Sequence, residues 1–259
     1  MEFRPVVNTP PASPSLHLHY QPIVAAVDGR LVAAEALLRA SPGDRVAPHA
    51  YLSALEEDGG IVAVGNLLLE RALATLASWP DAEDIGVAIN VSIRQFESPE
   101  WPARVMEALA RSSTRPSRLC LELTETALMR APAMLARSAE LLRLHGVTMA
   151  IDDFGTAYAS MEMLKLVAPE LIKIDRSFIA ALPGYHRDRA VVRSIIHLAH
   201  ELGIRVIAEG IERSDQWVCL VEMGCDLGQG FLFGRPCDER SFRKSFLAGR
   251  GGAHSSVLP

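Results

Sequence analysis

Residues 119–155 read LCLELTETALMRAPAMLARSAELLRLHGVTMAIDDFG, and this stretch decides the fold. It opens on LCLELTE (119–125) and closes on TMAIDDFG (148–155), two short apolar runs that each end in acids. Between them, residues 132–146 carry apolar side chains at helical spacing and stop at Gly146, a C-cap glycine. Runs this apolar suit strands covered on both faces, as in a parallel sheet crossed over by helices. The stretch therefore reads as one strand–helix–strand unit.

The same alternation extends both ways. Further strands are expected at HLHYQPIV (17–24), RLVAAEALLR (30–39), IGVAINVS (85–92), LIKIDRS (171–177), RVIAEGI (205–211) and DLGQGFLF (226–233). Helices are expected over 61–79, stopping before Pro80, over 99–112, and over 186–203, closed by Gly203. Eight strands with intervening helices make an α/β chain, and a (β/α)8 barrel of TIM type fits better than two domains. A doubly wound open sheet is the alternative, but it would usually bring a glycine-rich phosphate loop after its first strand, and none is present. The 259 residues suit one barrel, with 49% apolar and 22% charged residues. The barrel domain is expected over 16–248, between flexible segments at 1–15 and 249–259 that are rich in Pro, Ser and Gly.

The net charge of -5 argues against a basic groove for a nucleic-acid polymer. No apolar run is long enough for a membrane helix, and the start MEFRPVVNTPPASPS has no signal-peptide pattern. The four cysteines lack paired spacing, and a cytoplasmic, reduced protein is expected. His197 and His200, three apart on an expected helix, read as surface or packing residues. The Glu56–Glu57 pair reads as solvated.

Polar residues fall at the far ends of the strands: Glu35, Asn90, Glu122 with Glu125, Asp152 with Asp153, Lys173 with Asp175, Glu209 with Glu212, and Gln229. In a barrel these ends converge on the face that holds active sites. Taken singly, each acid is a helix cap or a solvated loop residue. Taken together, acids inside LELTE, AIDDFG and VIAEGIE would be desolvated and mutually repulsive, and divalent cations relieve that repulsion. Hard oxygen ligands without Cys or His point to Mg²⁺ or Mn²⁺. The adjacent Asp152–Asp153 pair suits two ions, about 3.5–4 Å apart in phosphodiester-cleaving sites. Only three lysines occur among 26 basic residues, and one, Lys173, stands inside a strand. It either holds a water or balances the carboxylates as an ion-paired structural lysine.

The motifs YQPIV (20–24), EALLR (35–39), INVS (89–92), LELTET (121–126), IDDFGTAY (151–158), IKIDRSFI (172–179), VIAEGIE (206–212) and GCDLGQGFLFGRP (224–236) resemble those of the EAL-domain phosphodiesterases of cyclic di-GMP. The resemblance implies a modified (β/α)8 barrel whose first strand runs antiparallel. It implies hydrolysis of cyclic di-GMP to linear pGpG with two Mg²⁺ or Mn²⁺ ions per site. Glu35, Asn90, Glu122 and Asp152 would surround one metal. Asp152 would bridge to a second, held also by Asp153 and Glu209. Lys173 would position the attacking water, and Glu209 is alternatively the general base. Gln21, Arg39 and Gln229 match substrate-side residues. Glu125 and Glu212 match acids that support the loops. The family implies a homodimer, and a regulatory protein partner would be one source of input.

The family's usual DFGTGYSSL reads DFGTAYASM here, with Ala157 for a glycine and Ala159 for a serine. This departure keeps a second reading open, a weak or inactive receptor or scaffold that binds cyclic di-GMP or a protein. An unrelated metal-dependent barrel enzyme is the remaining reading.

Overall fold

The computed structural model describes residues 16–40, 54–79, 84–124, 132–156, 164–165 and 167–248. Eight strands close into a barrel in chain order: β1 (Leu16–Ala25), β2 (Leu31–Ala40), β3 (Gly86–Asn90), β4 (Leu119–Thr124), β5 (Thr148–Phe154), β6 (Leu171–Ile174), β7 (Arg205–Ala208) and β8 (Leu227–Gln229). β1 runs antiparallel to both β2 and β8, and every other neighbouring pair is parallel. The fold is the modified (β/α)8 barrel expected from the sequence.

Helices among the described residues include α1 (Ile61–Ala77), α2 (Ile93–Phe96), α3 (Trp101–Arg111), α4 (Pro132–Leu144), α5 (Arg176–Ile179), α6 (His186–Glu201), α7 (Ser214–Glu222) and α8 (Glu239–Phe242). Each long helix buries one stripe. On α3 this is Trp101, Val105, Ala108 and Leu109; on α6 it is Val192, Ile196 and Ala199. These stripes and the outward faces of the strands form one large core between barrel and helices. Gly146 and Gly203 follow α4 and α6 with φ of +90° and +71°, the left-handed geometry of a C-cap.

Four strands stop two or more residues earlier than the apolar runs suggest: β3 at Asn90, β6 at Ile174, β7 at Ala208 and β8 at Gln229. For two of them the cause is local. The Ser92 side chain accepts the Arg94 N–H and caps α2, and Asp175 accepts the Ser177 N–H and caps α5. The apolar period also names no helix over 214–222, where α7 forms.

A second, smaller apolar cluster fills the barrel: Ile23, Ala25, Ala88, Ala150, Leu171, Ile207 and Leu227, with Ala33 and Cys120 against it. In a strand, residues two apart share a face. Two residues beyond the plug therefore lie Glu35, Asn90, Glu122, Asp152, Lys173, Glu209 and Gln229. β1 is reversed, so its counterpart, Gln21, precedes Ile23. One apolar layer thus carries one polar layer, and the register alone places eight polar side chains at one end.

Candidate active site

Lys173 is the hub of that polar layer. Its side chain is 1% exposed, and its Nζ lies 2.7 Å from Glu209 Oε1, 2.9 Å from Glu122 Oε2, and 3.3 Å from both Glu35 Oε2 and Asp152 Oδ1. β2, β4 and β5 supply three of these acids, and the residue just past the end of β7 supplies the fourth. Around them runs an amide girdle. Asn90 Nδ2 donates to Glu35 Oε1 at 2.8 Å. Gln229 Nε2 donates to Glu35 Oε2 at 2.6 Å and to Gln21 Oε1 at 3.2 Å. Gln21 Nε2 donates in turn to the Gly234 carbonyl.

The charge states follow from this packing. Burial alone would raise the Glu35 carboxyl, but Lys173 and the hydrogen bonds from Gln229 and Asn90 outweigh it and hold the group below its ordinary range. Burial drives Glu122 well up, helped by Glu35 and Asp152 and opposed by Lys173. Burial likewise pushes Glu209 up to about 7 against the pull of Lys173. Burial works against the Lys173 ammonium, yet Glu122, Glu35, Glu209 and Asp152 together hold it well above its usual value.

Asp153 needs a further device to join the layer, because successive strand side chains point to opposite faces. The β5–β6 register slips between Ile151 and Phe154, and Asp153 has φ of +54°, a left-handed conformation unusual for a residue other than glycine. The Thr156 hydroxyl donates to the Asp153 carbonyl at 2.8 Å, and the Asp153 N–H donates to Asp152 Oδ1 at 3.0 Å. The bulge turns both aspartates toward the cavity. Backbone strain held in this way clusters at functional sites. Burial, with Asp152 and Asp175 nearby, raises the Asp153 carboxyl.

One carboxylate oxygen from each of Asp152, Asp153 and Glu209 lies within 4.8 Å of the others, close enough to share a cation. Glu122 Oε1 is buried without a hydrogen-bond partner, and so is Gln229 Oε1. Hard oxygen donors and an orphaned buried carboxylate oxygen fit a divalent cation of the Mg²⁺ or Mn²⁺ kind.

Above this layer opens a cavity of about 660 Å³. Gln21, Glu35, Asn90, Asp152, Asp153, Glu209 and Gln229 line it, while Glu122 and Lys173 are not among its lining residues. Glu212, an exposed residue, contributes to the wall, and its N–H is held by Gln216 at 2.9 Å. Arg39 is not among the lining residues either. It shares the Glu35 face of β2 four residues on, pairs in register with His17, and donates to the Leu38 carbonyl at 2.8 Å. Glu125, Ala157 and Ala159 lie outside the described residues.

The cavity also holds residues that the strand-end pattern does not single out. Arg176, Ser177 and Ala180 come from the segment after β6, Arg213 and Gln216 from that after β7, and Phe231 from that after β8. Phe231 is 45% exposed, and the Arg235 guanidinium lies 4.0 Å from its ring centroid. The available signal was topological: in a barrel the segments after β6, β7 and β8 open on the same face. Elsewhere, His200 bonds Asp226 at 2.9 Å, and Glu56 accepts from Ser92 at 2.9 Å.

A profile of the EAL domain matches residues 9–236. The chain belongs to the EAL domain family. This EAL chain is 39% identical over 225 residues to the bifunctional diguanylate cyclase/cyclic di-GMP phosphodiesterase MucR of Pseudomonas aeruginosa, covering 85% of this chain and 33% of that protein. It is 35% identical over 227 residues to the cyclic di-GMP phosphodiesterase RocR of the same organism, covering 86% of this chain and 58% of that one. The solved MucR phosphodiesterase in complex with cyclic di-GMP superposes with a TM-score of 0.82 over 88% of this chain and 94% of that one. BlrP1 of Klebsiella pneumoniae, solved with manganese and cyclic di-GMP, gives a TM-score of 0.77 at 29% identity, covering 88% of this chain and 57% of that one. The chain spans about a third of the length of the first curated relatives it matches. No helix among the described residues is long and apolar enough to cross a membrane.

Proposed function

We propose that this EAL domain hydrolyses cyclic di-GMP to linear pGpG with divalent metal ions. The observation that carries the reading is the convergence of Glu35, Glu122, Asp152 and Glu209 on one buried lysine, beside Asp153, under a cavity of about 660 Å³. The likeness to proteins named as cyclic di-GMP phosphodiesterases supplies the substrate.

Glu35, Asn90, Glu122 and Asp152 would hold one ion, and Asp152, Asp153 and Glu209 a second. When bound, such ions polarise a phosphate oxygen and acidify water. The protein side of the reaction is positional. Asp152 and Asp153 set the floor on which one phosphodiester rests. Lys173 Nζ, anchored by its carboxylates, would orient the attacking water. Glu209 is either a metal ligand or the base that takes the water's proton; with its carboxyl up to about 7, it suits proton transfer near neutrality. Water attacks phosphorus in line, the P–O3′ bond breaks, and the 3′ oxygen leaves with a proton. The phosphoryl group stays on the 5′ end of pGpG. Gln21 and Gln229, linked amide to amide, would hold the nucleotide side, with Arg39 reaching a phosphate at the rim. Glu212 would support the wall after β7, and Glu125 the loop after β5. A cytoplasmic homodimer built on the 16–248 barrel completes this reading, and light scattering of the pure protein tests the dimer.

The deciding experiment incubates the protein with cyclic di-GMP and Mg²⁺ or Mn²⁺ and resolves the products by chromatography. Formation of pGpG is expected. Absence of pGpG with either metal overturns the enzyme reading. Retained binding would then favour the receptor that Ala157 and Ala159 allow.

A further inference from the structure

Beyond Ile174 and Ala208, β6 and β7 no longer pair, so something other than the sheet must hold the segments that follow them. The first link is backbone, with the Glu209 N–H donating to the Ile174 carbonyl at 3.1 Å. The second is close contact: Gly210 has φ of +67°, and a Cβ there would overlap the Arg176 side chain. The third is one side chain, Gln216, in the first turn of α7 and 1% exposed.

Gln216 uses both ends of its amide. Its Oε1 accepts the N–H groups of Glu212 at 2.9 Å and Arg213 at 3.0 Å. Its Nε2 donates to the carbonyls of Ile179 at 3.0 Å and Ala180 at 3.4 Å. Two donors face the oxygen and two acceptors face the nitrogen, so the amide has a single orientation that satisfies all four. Ile179 and Ala180 close the short helix after β6, where the Ile179 carbonyl also accepts the Leu182 N–H at 3.1 Å. Gln216 thus ties the end of that helix to the segment three residues past Glu209. Arg213 adds a strap by donating to the Leu182 carbonyl.

We propose that Gln216 is a positioning residue that acts through Glu209. By anchoring Glu212 and Arg213 to Ile179 and Ala180, it fixes the backbone on which the Glu209 carboxylate is aimed at the metal-binding layer. This rests on the proposed metal-dependent reading of the site.

The test compares the wild type with Gln216→Met, which keeps length and removes the hydrogen bonds, and with Gln216→Glu, which keeps only the acceptor half. Mn²⁺ affinity is measured by calorimetry, kcat and KM with cyclic di-GMP, and folding by thermal denaturation. Residues that orient metal ligands typically change affinity or activity by about 10–100-fold. Mn²⁺ affinity is expected to fall in the order wild type, Gln216→Glu, Gln216→Met, by about tenfold or more in the last, with kcat falling further than KM rises. A folded Gln216→Met protein with wild-type Mn²⁺ affinity and kcat overturns the proposal. So does a lower melting temperature with both unchanged, or failure of both variants to fold, since each makes Gln216 purely structural. A wild type that binds Mn²⁺ without hydrolysing cyclic di-GMP would defeat the enzyme reading, while the order of Mn²⁺ affinities would still test Gln216.

Discussion

Replacing Lys173 with methionine removes the ammonium that pairs with Glu35, Glu122, Asp152 and Glu209 in the barrel's acidic layer. At about 3 Å and an effective dielectric near 20, each contact with an ionised carboxylate has a gross attraction of about 5–6 kcal/mol. Desolvation of the ammonium and mutual repulsion of the acids offset most of this. Breaking a buried pair by removing one partner costs about 3–5 kcal/mol. For a domain of this size each kcal/mol moves the midpoint by about 2–4 °C, so Lys173→Met should melt about 6–20 °C lower in chelator near pH 8. The pH dependence has a definite sign. Without the ammonium that opposes burial, the carboxyls of Glu122 and Glu209 rise further above their unfolded values. A raised carboxyl contributes stability below its unfolded pKa and loses it as pH rises through the folded pKa. The deficit is therefore largest near pH 8 and shrinks toward pH 5, where the acids take up protons. Lys173 itself, held above its unfolded value, is fully charged across this window. Mn²⁺ should narrow the gap, because it replaces the lost counter-charge and binds only the folded state. Circular-dichroism melts with and without Mn²⁺ make the measurement. A loss under about 2 °C near pH 8, or a deficit that grows toward pH 5, would refute the view of Lys173 as the counter-charge of this layer.

Three further outcomes are expected. Glu209→Ala should lower cyclic di-GMP turnover by about 10²–10⁴-fold while calorimetry still detects ligand binding; wild-type turnover would remove Glu209 from the mechanism. With the Glu209 carboxyl up to about 7, cation binding must displace its proton at lower pH, so Mn²⁺ affinity should fall about tenfold from pH 8 to pH 6; equal affinities would show that Glu209 is not a ligand. Gly230→Ala would drive a Cβ into the backbone of Ile211, which bonds Gln229 and Leu232, and should cost about 1–3 kcal/mol in thermal unfolding along with reduced turnover; an unchanged melting curve would mean that this contact yields freely.

The sequence by itself determined which residues are candidates for the chemistry. Acids inside runs such as LELTE and AIDDFG conflict with burial, and that conflict is visible without coordinates. The barrel was equally legible, because apolar runs and helical periods are local properties. Strand ends were less so: Ser92 and Asp175 stop β3 and β6 by capping helices, a competition that apolar content does not register. Tertiary structure alone decided which of these residues meet. Barrel closure and register bring Glu35, Glu122, Asp152 and Glu209 to one lysine across up to 138 residues of chain, and the reversal of β1 delivers Gln21 to Gln229. A slipped register and a left-handed backbone at Asp153 turn neighbouring aspartates toward one cavity against the alternation of a strand. Gln216, in a helix that the apolar period did not name, acquires its partners only when the ends of β6 and β7 lie side by side. Composition and period are summed along the chain, whereas these contacts depend on the shear of a closed sheet, which no single segment contains.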